Sequence, residues 1–306
     1  MRSPRSTAGC TFGIAVTLAA SCLCLVRSAP AESAAPQPAI KIAASIFPLA
    51  DIARQVGGDK VRVTTIIPSG SDPHNFEITP TGARAVNEAD LVLLIAKHFD
   101  GWAMGSADAK RTSRFIEFET IFEDSLIGTG RNFNPHFWLD PMFARSIGAA
   151  LASELTGLDP ANRAYYEARA AAFDAKVDSL NASIKARLLK SGFKEYVAFH
   201  PAWTYFARRY GLVERAILER TPEQEPSAKW IAQVLKTTKA HGVKVIIAEE
   251  FSNKALAQTM ASDSGAKLIV LDPLGGADRP GRDSYTALMD YNVHLIEEAA
   301  RREITN

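Results

Sequence analysis

The sequence predicts an α/β fold: two (βα)-rich lobes with parallel-type sheets, joined by one long rigid linker helix. Three observations carry this reading. Short β-branched runs alternate with helical patterns along the whole chain. Most of those runs are apolar on both faces, as strands of a covered parallel sheet must be. One long amphipathic segment without internal Gly or Pro divides the chain, with a βα-rich half on either side. The 306 residues, 47% hydrophobic and 23% charged, are about the length of two ordinary α/β domains and hold enough apolar material for real cores.

The elements follow in order. Residues 1–31 read as a signal peptide: Arg2 and Arg5 form a basic start, residues 11–26 are mostly apolar or small, and Ala29-Pro30-Ala31 offers a cleavage site. The apolar stretch is interrupted by Thr17, Ser21 and Cys22 and is short for a membrane span. The chain therefore reads as exported, and as periplasmic in a Gram-negative source. Lipid anchoring at Cys22 is a second reading, weakened because the leucine expected three residues earlier is missing. Residues 32–39 then form a tether. The first lobe, 40–158, has strands expected at 40–45, 61–67, 91–95 and 115–118. The linker helix spans 159–190, with Asp159 placed to cap it, Pro160 suited to its first position and Ser191-Gly192 ending it. Its stripe is Tyr166, Arg169, Phe173, Val177, Leu180, Ile184 and Leu188, at steps of three and four. The second lobe, 191–306, has strands expected at 196–199, 243–248 and 267–271.

Composition excludes several classes of function. All three cysteines (Cys10, Cys22, Cys24) fall in the removable segment, so cleavage leaves no disulfide framework, thiolate metal site or cysteine nucleophile. Cleavage also removes Arg2, Arg5 and Arg27 and no acid, taking a formal charge of +1 slightly negative. A near-neutral chain gives no electrostatic reason to expect nucleic acid. No HExxH occurs, and no glycine cluster forms a phosphate loop.

The candidate chemistry lies in residues beside prolines: Pro73-His74, Pro135-His136, His200-Pro201 and Asp272-Pro273. Proline fixes its own φ and biases the residue before it towards extended geometry, so these side chains leave the backbone at preset angles. Three imidazoles and a carboxylate make a complete tetrahedral ligand set for zinc. Ligands of open α/β sheets bind beyond the carboxyl ends of strands, and His200 and Asp272 each directly follow one. Asp72-Pro73, Asp140-Pro141 and Asp159-Pro160 are explained by capping or turns. His241 and His294 read as structural and His98 as an accessory ligand at best. Glu249 and Glu250 are rivals to Asp272 for the fourth position. Asp72, Glu77 and Asp140 are candidates to fix imidazole tautomers, and Phe76, Phe137, Trp138 and Trp203 to wall the site.

The segments Pro68-Ser69-Gly70-Ser71-Asp72-Pro73-His74-Asn75-Phe76-Glu77, Asn134-Pro135-His136-Phe137-Trp138-Leu139-Asp140-Pro141, Phe199-His200-Pro201-Ala202-Trp203 and Leu271-Asp272-Pro273-Leu274-Gly275 together resemble the zinc and manganese solute-binding proteins of ABC transporters, ZnuA-like and TroA-like. The likeness runs from about Lys41 to the C-terminus in matching order. It implies two lobes bridged by one helix, metal held by His74, His136, His200 and Asp272, and a membrane permease with its cytosolic ATPase as partners of a monomer. Manganese members carry Glu at the third position; here it is His200, and three nitrogen donors favour Zn2+ over the harder Mn2+. Two departures stand out. Residues 97–135 contain only His98 where zinc members often have a histidine-rich loop, which points to a separate periplasmic zinc chaperone or to no scavenging step. Lys97-His98-Phe99-Asp100 stands where the family often has a Gly-rich polar turn. The alternatives to a zinc carrier are a manganese-binding or adhesin-like protein, and a zinc hydrolase with Glu249 or Glu250 as base.

Overall fold

Apolar runs between helical segments become eight parallel strands among the residues that the computed structural model describes: 39–108, 113–128, 133–220 and 225–301, with Gly9. Apart from Gly9, the expected signal peptide with its cleavage site and the three cysteines, and nearly all of the expected tether, lie outside those residues. In chain order come β1 (Ile40–Ala44), α1 (Phe47–Gly57), β2 (Val61–Thr65), α2 (Pro80–Glu88), β3 (Leu91–Leu94), α3 (Lys97–Asp100), α4 (Trp102–Gly105), β4 (Arg114–Glu117) and α5 (Phe118–Phe122). A 3-10 turn at His136–Leu139 leads to α6 (Pro141–Leu158), and α7 (Arg163–Ser191) follows. The remaining elements are β5 (Glu195–Ala198), α8 (Thr204–Tyr210), β6 (Val213–Ile217), α9 (Ala228–Ala240), β7 (Val245–Glu249), α10 (Lys254–Ser264), β8 (Lys267–Leu271) and α11 (Tyr285–Arg301).

Two four-stranded sheets result, ordered β2-β1-β3-β4 and β6-β5-β7-β8, and every pairing is parallel. The second sheet repeats the order of the first. In each, the chain reverses its direction of travel beside the first strand (β1 or β5), which opens a crevice at the carboxyl ends there. Central strands β3 and β7 are buried at every residue, the physical reason they read as unbroken apolar runs. Strand β6 was not expected from the sequence. It is an edge strand, Val-Glu-Arg-Ala-Ile, with Glu214 and Arg215 breaking the apolar pattern. Tyr196 on β5 donates to the Glu214 carboxylate at 2.8 Å, which supplies the half-buried acid with a partner.

The linker helix differs at its start. Asp159 ends α6, Pro160–Asn162 form a 3-10 turn, and α7 proper begins at Arg163 and runs 29 residues to Ser191. The Asp159 carboxylate accepts from Asn162 and from the Tyr166 hydroxyl, at 2.6 and 2.9 Å. Gly192 closes the helix in the left-handed region at φ 71°. Tyr166, Ala170, Phe173, Val177, Ile184 and Leu188 are its buried residues. Arg169 is only half-buried, and Ala170 takes its place on the stripe.

Helix α7 packs on α6, α11 and α1. One hydrophobic core runs through it, taking Ile42, Leu91 and Leu93 from the first sheet and Tyr196, Val245 and Ile247 from the second. Polar contacts reinforce the packing. Lys176 reaches Gln55 on α1, Arg145 on α6 pairs with Asp174 and Asp178, and Arg187 pairs with Asp290 and Glu297 on α11. No described helix is long and apolar enough to cross a membrane.

Candidate metal centre

The loops that leave these strands bring three histidines to one point. His74 follows β2, where its backbone N–H donates to Asp72 Oδ1 at 2.9 Å while Asn75 Nδ2 donates to Asp72 Oδ2 at 2.7 Å. This Asx turn fixes the direction in which the imidazole leaves the chain. His136 opens the 3-10 turn after Pro135. His200 lies two residues past the end of β5 in extended geometry (φ −128°, ψ 149°), as the following Pro201 requires.

The Nε2 atoms of His74 and His136 are 3.1 Å apart, those of His74 and His200 3.1 Å, and those of His136 and His200 3.4 Å. Among the described residues these three form the one group of metal-ligating side chains whose ligand atoms all lie within 4.8 Å of one another. A tetrahedral ion bonded to nitrogens at 2.0–2.1 Å has donor-to-donor edges of about 3.3 Å. The observed spacings bracket that value.

Asn134, two residues before His136, fixes its tautomer. Asn134 Oδ1 lies 2.8 Å from His136 Nδ1 and also accepts the His136 backbone N–H at 3.0 Å. With Nδ1 as the donor, the Nε2 lone pair faces the other two imidazoles. Asn134 also donates through Nδ2 to the Pro201 carbonyl at 2.8 Å, tying this loop to the one that carries His200. The sequence pointed to acids for this task, and the structure uses them otherwise. Asp72 holds backbone, Glu77 is exposed, and Asp140 caps α6 through Met142 and pairs with Arg209 at 2.8 Å.

Of the four aromatics expected to wall the site, Trp138 packs on an imidazole, 5.2 Å from His136 between ring centroids. Phe76 packs on Trp102, Phe137 on Phe122, Phe143 and Tyr205, and Trp203 on Phe206. Phe99 fills the wall instead, edge-on to His74 at 5.1 Å and 6.3 Å from His136. Its neighbour His98 is exposed and outside the group of three. His241 follows α9 with its backbone N–H bonded to Thr237, and His294 lies beside Glu298 on α11 at 3.7 Å.

Asp272 is not part of the converging group. Its Oδ1 accepts the Leu274 and Gly275 backbone N–H groups, both at 2.9 Å, and its Oδ2 accepts Arg282 Nη1 at 2.9 Å. Both oxygens are thereby engaged, and Asn292 holds the Asp272 backbone on either side. Glu250 is engaged as well, by Arg279 and Arg282, at 2.5 and 2.7 Å. Burial pushes the Glu250 carboxyl up, but the two guanidiniums outweigh it and hold it below its ordinary range. Glu249 is fully buried and accepts from Ser252 at 3.0 Å; burial pushes it up to about 8.

Burial also dominates the electrostatics of the imidazoles. It lowers His74 to about 4, against the opposing charge of Asp72. It lowers His200 to about 3 with help from His74, and His136 falls well below its ordinary value through burial and then through its two neighbours. At neutral pH all three rings are uncharged, the state a metal ion requires. A cavity of about 500 Å³ opens beside His74 and His200, with Asp72, Glu219 and Glu225 in its lining.

The chain is similar to known proteins over most of its length. The family model described as zinc-uptake complex component A, periplasmic (ZnuA), matches residues 42–299. The high-affinity zinc uptake system protein ZnuA of Bacillus subtilis is 28% identical over 278 residues, covering 85% of this chain and 87% of that protein. The zinc-binding lipoprotein AdcA of Streptococcus pneumoniae is 26% identical over 282 residues, covering 86% of this chain but only 56% of AdcA. A crystal structure of ZnuA superposes with a TM-score of 0.76 at 30% identity, covering 86% of this chain and 100% of that one. FpvC of Pseudomonas aeruginosa, solved in complex with Mn2+, superposes with a TM-score of 0.75 at 27% identity, covering 87% and 100%.

Proposed function

The chain belongs to the family of periplasmic zinc-uptake component A, and from that premise we propose that it captures zinc and delivers it to an ABC permease of the inner membrane, driven by a cytosolic ATPase. The observation that carries this reading is the convergence of His74, His136 and His200 Nε2 at the edge lengths of a tetrahedral zinc site. Zinc is cargo here. The three uncharged imidazoles supply its bonds, Asn134 orients one of them, and Phe99 and Trp138 exclude water from one side. The acidic lining of the neighbouring cavity attracts a dication towards the rings.

Asp272 is the proposed fourth ligand, reached when its Oδ2 exchanges Arg282 for the ion. A full shell of protein donors leaves no position for water or substrate, which argues against catalysis. The hydrolase alternative also lacks a base, because Glu250 is held by two arginines and Glu249 is bonded to Ser252 outside the group of three. Export to the periplasm and action as a monomer belong to the same proposal. So does supply of the ion by a separate chaperone, since residues 97–135 hold His98 as their single histidine.

Metal content of the purified mature protein tests the reading. The expected result is one zinc per chain, lost in His136→Ala with the fold intact; retention of zinc in that variant would overturn it. A second reading, manganese transport, is favoured by the manganese-bound FpvC relative. Competition between zinc and manganese at controlled free-metal levels separates the two.

A further inference from the structure

The two arginines beside the candidate site form a closed charge network. Arg279 Nη1 meets Glu250 Oε2 at 2.5 Å, and Arg282 Nη1 sits between Glu250 Oε1 at 2.7 Å and Asp272 Oδ2 at 2.9 Å. Two carboxylates face two guanidiniums, so Asp272 is already neutralised. The pair is well screened from water: the side chains of Arg282 and Asp272 are 17% and 8% exposed. The guanidinium also lies over the Tyr291 ring, 4.8 Å from its centroid.

The loop that carries these arginines has little freedom to withdraw. Ser69, on the loop leading to His74, donates to Asp278 Oδ1 at 2.6 Å. The two loops approach so closely that a Cβ on Gly276 would fall 2.0 Å from Ser69 Oγ, and one on Gly70 2.2 Å from Arg279 Nη2. Within this closely packed loop Arg282 is held by Glu250 and the Tyr291 ring, against Asp272.

We propose that Arg282 is a specificity-determining residue of the metal site: by holding Asp272 it withholds the hard oxygen donor and so disfavours manganese relative to zinc. This rests on the zinc-carrier reading and on Asp272 as fourth ligand. Three imidazoles alone satisfy most of what zinc requires, whereas manganese favours oxygen donors and binds nitrogen sites weakly. Both ions must break the Arg282 contact to gain the carboxylate. Manganese depends on that carboxylate more, so the contact handicaps it more.

The test measures zinc and manganese affinities by chelator competition in the wild type, Arg282→Gln, Arg282→Lys, Asp272→Asn and the Arg282→Gln/Asp272→Asn double variant. Melting curves confirm that each is folded. In Arg282→Gln the preference for zinc over manganese is expected to fall roughly tenfold, the size of one charge-assisted hydrogen bond. Arg282→Lys, which keeps the cation, is expected to stay near the wild type. With Asp272→Asn in place, removing Arg282 should no longer move the ratio. An unchanged ratio in Arg282→Gln would overturn the proposal, and so would an equal shift in the Asp272→Asn background, which would reduce Arg282 to a general repulsive charge. Loss of zinc in His136→Ala together with either result would leave the carrier reading standing. A wild type that binds no zinc would overturn both.

Discussion

Nδ1 of His136 lies 2.8 Å from Asn134 Oδ1, and that contact decides which ring nitrogen faces the site. Asn134→Ala is expected to weaken zinc binding by about 10–100-fold, the usual cost of losing an orienting partner, as read by chelator competition. Unchanged affinity would mean that packing alone holds the ring. Proton competition gives a second expectation. Free imidazoles titrate near 6.5, but His74 and His200 are lowered to about 4 and about 3. The folded rings are thus uncharged well below neutrality, and zinc affinity should be flat between about pH 7.5 and 5.5. A tenfold loss per pH unit across that range would contradict it. The same shifts act on the metal-free fold. As pH falls below 6.5 the unfolded chain takes up protons that the folded rings refuse. The stability is complete above 6.5 and is lost progressively towards pH 4 and 3, visible as a falling urea midpoint. The prolines beside His74, His136 and His200 made these residues legible in the sequence. Arg282 was not legible as the holder of Asp272, because the pair forms only when the loop after β8 folds back on itself. Phe99 was missed because the adjacent His98 drew the chemical reading, and the short helix α3 turns that histidine outwards.

At the level of elements, α7 was readable because its apolar residues recur at steps of three and four over about six turns of helix. What sequence could not give was how closely its partner approaches. Gly148 on α6 lies so near that a Cβ there would sit 2.8 Å from Phe173 Cδ1. Gly148→Val is therefore expected to destabilise the protein by about 1–3 kcal/mol in urea unfolding, with metal stoichiometry retained. A neutral result would show that Phe173 relocates freely. Strand β6 was hidden for a different reason. An edge strand is half-solvated, so Glu214 and Arg215 are tolerated in it, and the apolar run that marks a central strand is absent. The other seven strands, the edge strands β2, β4 and β8 among them, carry enough apolar or β-branched residues to be read within a residue or two of their observed ends.

Across residues 38–306, which hold together as one unit, the two sheets share a continuous apolar core through α7. Arg187 on α7 further ties the helix to Asp290 and Glu297 on α11. A wide hinge opening would expose part of that core to water, at about 25 cal/mol for each Å² of apolar surface. Release is therefore expected to use local movement of the loops that carry the ligands and a small tilt. Small-angle scattering with and without zinc should give nearly superimposable profiles; a compaction of several ångströms in radius of gyration would count against it. The alternation of strand and helix made two parallel sheets foreseeable, while their repeated strand order and shared core were not, since sequence patterns show which faces are apolar and not which faces meet. The most direct measurement is X-ray absorption at the zinc edge of the loaded, mature protein. Three imidazole nitrogens at about 2.0–2.1 Å with a single carboxylate oxygen completing the shell are expected. A shell of six oxygen or nitrogen donors, or a spectrum unaltered by His136→Ala, would contradict the account.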